Sequence, residues 1–208
     1  MAEPKVFMPT HMAWVADFVK AGGVLAYPSE SVWGLGCDAM NAAAIERIFA
    51  LKARPEHKGL IVLTDSVEKL MPLLADLSNN TQAQLEQKMH TLNASFDLAN
   101  AKQAQTWLVP VAKSVRLPKV LTGGFDTLAV RVTHQPNLRH LCQAMTTADN
   151  PYGFLVSTSC NPSGQPSATT LSEAMAYFGE QVAYLDDQGL GFDQPSQIID
   201  ILTGQILR

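Results

Sequence analysis

Four apolar stretches, VLAYP (24–28), GLIVLT (59–64), TLAVRVT (127–133) and YGFLVSTS (152–159), are rich in branched and aromatic residues and too short for helices. They commit the chain to a β-sheet, because buried runs of this length satisfy their backbone polar groups by pairing with one another. TWLVPVA (106–112), VAYLDD (182–187), QIIDIL (197–202) and QILR (205–208) read as further strands. Helical spacing lies between them. THMAWVADFVKAGG (10–23) takes Thr10 as its N-cap and carries Trp14 on a core stripe. NAAAIERIFALKAR (41–54) is capped by Asn41, turns Ile45, Ile48, Phe49 and Leu51 inward, and stops at Pro55. SVEKLMPLL (66–74), QPNLRHLCQAM (135–145) and LSEAMAYFG (171–179) complete the helices, and the polar segment 78–105 reads as an exposed helix followed by a loose connection. Strands and helices mingle without regular βαβ alternation, so the expected fold is α/β of the α+β type. It is an open, twisted, mixed sheet with flanking helices, in one domain spanning residues 1–208.

The loops that follow these strands carry the chemistry. YPSESVWGLGCDA (27–39) leaves an apolar run through two serines, an acid and a tryptophan, more than a plain corner needs. LKARPEHKG (51–59) places Lys52, Arg54 and Lys58 together, which suits an oligophosphate but equally describes a solvated helix end. STSCNPSGQPS (157–167) offers Ser157, Ser159, Ser163, Ser167 and Asn161 around glycine and proline, either a cradle for anions or a serine-rich turn. In GGFDTLAVRV (123–132), Thr127 and Arg131 share one face of a strand, so a guanidinium is held among apolar neighbours. It needs an anionic partner, from the protein or from a substrate.

Rival chemistries find little support. The five histidines show no metal-ligand spacing, no G-x-S-x-G elbow is present, and GLGCDA lacks the full dinucleotide fingerprint. The three cysteines have no paired spacing and read as small packed residues in a reducing compartment. A net charge of −4 argues against a surface that embraces nucleic acid. The N-terminal stretch does not pattern as a signal peptide and no run is long enough to span a bilayer, so a cytoplasmic location without membrane attachment is expected.

Taken in order, YPSESVWGLGCDA, LKARPEHKGLIVL, LTGGFDTLAVRV, STSCNPSG and PSQIIDILTGQILR resemble the YrdC/TsaC family of threonylcarbamoyl-AMP synthases, in its short bacterial form. The resemblance runs from about residue 10 to residue 208 and implies a sheet curved around a concave cavity. It implies condensation of L-threonine and bicarbonate with ATP, probed by its product threonylcarbamoyl-AMP and by pyrophosphate. Mg²⁺ would accompany ATP, and transfer proteins would carry the group to position 37 of tRNA. Carried over by motif, Ser29, Ser31, Arg131 and Ser157 would bind threonine. Lys52, Arg54, Lys58, Thr127, Ser159, Asn161, Ser167 and Arg208 would bind ATP, with Lys52 and Arg54 also catalytic. The chain departs from the family in three places: both threonines of its PTET turn are serines, Cys160 replaces the alanine of Ser-Ala-Asn, and AKQAQ stands where a WPGP turn is usual. A non-catalytic tRNA- or double-stranded-RNA-binding module of the same fold is the alternative. Salt-dependent tRNA affinity without ATP chemistry would favour it.

Overall fold

The computed structural model describes residues 3–53 and 59–208. Their elements, in chain order, are β1 (Val6–Phe7), α1 (Met12–Lys20), β2 (Leu25–Pro28), β3 (Trp33–Gly36), α2 (Ala42–Lys52), β4 (Ile61–Thr64), α3 (Asn79–Ala94), β5 (Gln105–Pro110), α4 (Lys119–Thr122), β6 (Thr127–Val132), α5 (Pro136–Ala144), β7 (Leu155–Ser159), α6 (Leu171–Phe178), β8 (Ala183–Leu185) and β9 (Gln197–Asp200). The strands form one mixed sheet in the order β1-β8-β2-β3-β7-β4-β6-β5-β9.

One face of this sheet is covered along its length. Ile45, Ile48 and Phe49 of α2, Leu85 and Met89 of α3, and Ala174 and Phe178 of α6 pack there with Val62, Val130 and Val156. The opposite face is covered over part of its length only. Val15 and Val19 of α1 and Leu138 and Leu141 of α5 bury Leu25, Tyr27, Leu63 and Leu155. Beyond that cover the same strand faces change character. In β7, Leu155 lies under the helices, while Ser157 and Ser159, two and four residues on, face an open cavity. In β6, Leu128, Val130 and Val132 enter the covered core, and Thr127, Ala129 and Arg131 face the cavity. The alternation that builds the core on one side thus lays a hydroxyl- and guanidinium-bearing floor on the other.

Several elements differ from the sequence reading. WGLG is a strand rather than a loop: β2 and β3 pair antiparallel from Leu25↔Gly36 to Pro28↔Trp33, closed by the Ser29–Val32 turn. Its glycines serve close approach, not turning. A Cβ on Gly34 would sit 2.6 Å from the Tyr27 ring, and one on Gly36 would sit 1.9 Å from the Val156 carbonyl oxygen. Trp14 is 64% exposed and lies against His11 instead of entering the core. Residues 9–11 form a 3₁₀ turn, and the N-cap of α1 is His11 without a side-chain cap, not Thr10. Residues 68–74 are also 3₁₀, with Pro72 inside, because proline removes the donor an α-helix would need there. Asn41 does cap α2, accepting from the Ala44 N–H at 3.0 Å. That helix ends at Lys52, where Ala53 takes a left-handed φ of 47° two residues before Pro55. QILR contributes only an isolated bridge, Ile199↔Ile206.

Candidate active site

The uncovered floor belongs to a cavity of about 790 Å³, within the size range of small-molecule sites. Ser157, Ile61, Ala129 and Leu108 form a continuous row across four strands of its base, as the pairings Ser157↔Ile61, Ile61↔Ala129 and Ala129↔Leu108 require. Its walls include the β2–β3 turn, the loop after β7, the Thr122–Phe125 corner and a strap of residues 192–196 before β9. Of the residues expected at the site, Ser29, Ser31, Thr127, Arg131, Ser157, Ser159, Ser167 and Arg208 line this cavity. Arg54 and Lys58 lie outside the described residues.

Lys52 and Asn161 are brought to the site but stand behind its wall. Lys52 is 3% exposed, and its Nζ donates to the Ser159 carbonyl, to the Asn161 carbonyl at 2.6 Å and to Asn161 Oδ1 at 3.3 Å. The Asn161 amide in turn donates to the carbonyls of Pro162 and Gln165, at 3.1 and 2.6 Å. The last residue of α2 therefore ties down the whole Ser159–Gln165 loop. Cys160, within it, is fully buried; burial pushes its thiol up to about 12, against the pull of the Lys52 charge, which makes it packing rather than a nucleophile.

At the other end, the anionic partner of Arg131 is Glu30. The two side chains meet at 2.7 Å (Nη1 to Oε2), and Glu30 is 0% exposed. Glu30 Oε1 accepts from Thr133 Oγ1 at 2.6 Å and from the His134 N–H at 3.4 Å. Burial pushes the Glu30 carboxyl up, but the Arg131 charge and the hydrogen bonds from Thr133, Arg131 and the backbone outweigh it and hold the group below its ordinary value. Arg131 Nε also donates to Thr106 Oγ1 at 3.4 Å, and Thr106 donates to Ser196 Oγ at 3.0 Å. Arg208 completes the chain, donating to the Ser196 carbonyl and hydroxyl, both at 3.2 Å. Burial and the neighbouring Arg131 charge both pull Arg208 below its ordinary value. Arg131 is thus paired with a buried carboxylate, while Arg208 is linked to it only through the Ser196 and Thr106 hydroxyls, which places two guanidinium groups at one end of the cavity.

Sequence reasoning missed Glu30 as this partner, along with Thr106, Ser196 and Phe192. A signal for Glu30 existed, since a buried arginine demands an acid and the YPSES turn holds one.

The chain matches the Sua5/YciO/YrdC family model, described as "Telomere recombination", over residues 17–208. The chain belongs to the Sua5/YciO/YrdC family. Within this family it is similar to a threonylcarbamoyl-AMP synthase from Moraxella catarrhalis, at 53% identity over 98% of each chain. A protein of the same name from Acinetobacter baylyi is 45% identical, covering 98% of this chain and 99% of its own. Among solved structures, P. abyssi Sua5 complexed with L-threonine superposes with a TM-score of 0.76 at 25% identity, over 98% of this chain and 56% of that one. E. coli YciO shares the fold, with a TM-score of 0.72 at 20% identity, over 100% of this chain and 95% of its own. The family's mixed sheet and flanking helices are those described above. Among the described residues, no helix is long and apolar enough to cross a membrane, and no group of three or more His, Cys, Asp or Glu residues could hold a metal ion.

Proposed function

We propose that this chain condenses L-threonine, bicarbonate and ATP into L-threonylcarbamoyl-AMP, releasing pyrophosphate. The supporting observation is a nucleotide-sized cavity that brings the guanidinium groups of Arg131 and Arg208 to one end, in a chain 53% identical to a named synthase. The neutral threonine amine attacks the carbon of bicarbonate, and water leaves to give the carbamate anion. A carbamate oxygen then attacks the α-phosphorus of ATP in line, and the bond to the pyrophosphate oxygen breaks.

Arg131 receives the threonine carboxylate, with the hydroxyls of Ser29, Ser31 and Ser157 around the amino-acid side chain. Thr127, Ser159 and Ser167 meet the nucleotide, and Arg208 faces the junction where negative charge gathers on the α-phosphate. The segment from Lys52 through Arg54 to Lys58 supplies cations to the phosphates, with Lys52 acting from behind the Ser159–Asn161 loop. The ATP phosphate oxygens, which suit a hard cation, would hold Mg²⁺. The lining of the cavity adds the carboxylate of Asp193 as its acidic group among the described residues. Positioning and preorganised charge carry the catalysis, with no covalent nucleophile. The product passes to transfer proteins that modify tRNA position 37, in the cytoplasm. As a nucleotidyltransferase, the protein should release pyrophosphate from ATP in the presence of bicarbonate only when L-threonine is added. A coupled pyrophosphate assay with and without threonine checks this, and equal release in both overturns the proposal.

A further inference from the structure

We propose that Glu30 is the positioning residue of the amino-acid end of the cavity, orienting Arg131 so that its unspent Nη2 receives the substrate carboxylate. This rests on the synthase reading above. Glu30 is fully buried and both its carboxylate oxygens are engaged, so it acts on the substrate through Arg131 and not by contact. A guanidinium is a planar fork with donors fixed in direction. In Arg131, Nη1 is bound by Glu30 and Nε points to Thr106, while Nη2 takes no hydrogen bond among the described residues. Those two contacts fix the plane and rotation of the fork and leave Nη2 for the cavity that Arg131 lines.

The main chain of Glu30 extends this role. Its carbonyl accepts from the Phe192 N–H at 2.8 Å, and the Ser29 carbonyl accepts from the Leu190 N–H at 3.2 Å. Ser29 Oγ closes the turn onto the Val32 carbonyl at 2.7 Å. One residue therefore holds the serine turn, the end of β6 and the strap before β9 in fixed relation. A buried ion pair contributes little net stability compared with apolar side chains of the same volume. Its presence in the wall of a cavity, with Nη2 of the arginine unspent, is explained by orientation of that group. Thr127, at the nucleotide end, lies four residues along the strand from Arg131, roughly 13 Å away, so the effect falls on threonine rather than on ATP.

Steady-state kinetics of Glu30→Gln test the proposal. Glutamine keeps the shape and loses the charge that pins Nη1. The KM for L-threonine should rise about 10- to 100-fold, as expected for loss of a charge-assisted contact, while the KM for ATP stays within about 3-fold. Thr133→Val, which removes one anchor of Glu30 at nearly constant volume, should shift the threonine KM in the same direction by a smaller factor. If Glu30→Gln fails to fold, Thr133→Val alone decides. Equal changes in both KM values, or a lowered melting temperature with both unchanged, would overturn the positioning role. If the wild-type protein releases no threonine-dependent pyrophosphate, the synthase reading fails separately. Calorimetric titration of L-threonine into wild type and variant then decides for Glu30, with equal affinities against it.

Discussion

Replacing Arg131 with methionine is expected to abolish threonine-dependent pyrophosphate release and to destabilise the fold by about 3–5 kcal/mol, the cost of leaving a buried charge unpaired. The partner left behind is Glu30, which has no exposed surface and meets Arg131 at 2.7 Å. Thr133 and the His134 N–H still solvate it, but no cation remains in contact. The pH dependence follows from sign. In the wild type the Glu30 carboxyl lies below its ordinary value, so its stabilisation is present above the unfolded value of 4.5 and is lost as pH falls. In the variant, burial acts without Arg131 and raises the same carboxyl above its unfolded value. Its cost is therefore small in acid and grows as pH rises. Chemical denaturation at about pH 5 and pH 8 should show the gap between wild type and variant widening with pH. Adding Glu30→Gln to Arg131→Met should recover much of the stability and none of the activity. Recovery of activity in that double variant would remove Arg131 from the chemistry.

Lys52→Met is expected to lower kcat/KM for ATP by about 100-fold or more, consistent with losing several hydrogen bonds from one ammonium group. The side chain ends under the loop after β7, and its Nζ gathers the Ser159 carbonyl with the carbonyl and side-chain oxygens of Asn161. Methionine fills the space but leaves these acceptors without their shared cation. The loop then loses the tie that presents Ser159 to the cavity. Arginine is no substitute, because a wide planar fork cannot converge on three oxygens that surround one ammonium. Hydrogen exchange should quicken at the Ser159–Gln165 amides, where Asn161 is bonded to Gln165. Unchanged exchange together with unchanged ATP kinetics would show that Lys52 does not hold this loop for ATP.

The cavity floor was legible because a strand repeats every two residues. Thr127 and Arg131 had to share a face, and the step from apolar residues to Ser157 and Ser159 marks where the helical cover ends. Asn41 was legible as a cap because its side chain acts locally, three residues away. What stayed hidden was long-range. Glu30 lies 101 residues from Arg131, and Lys52 lies 107 from the Ser159 carbonyl that it holds. Glycine misled in β3: WGLG carries the residues of a turn, yet Gly34 and Gly36 are there because Tyr27 and Val156 crowd against them. Trp14 misled in the opposite sense, since helical spacing alone does not say how far around α1 the cover extends. The strap before β9 has no periodicity to reveal it, and its place in the cavity wall comes from backbone bonds to Ser29 and Glu30.

In the proposed reaction one cavity joins threonine, bicarbonate and ATP in a single product. Mass spectrometry of a reaction with ATP, L-threonine and carbon-13 bicarbonate reads this product out. An ion is expected at the mass of threonylcarbamoyl-AMP that shifts by one unit with the label and disappears without threonine. ATP consumed with no such labelled ion, or a labelled adenylate formed equally without threonine, would rule the reaction out.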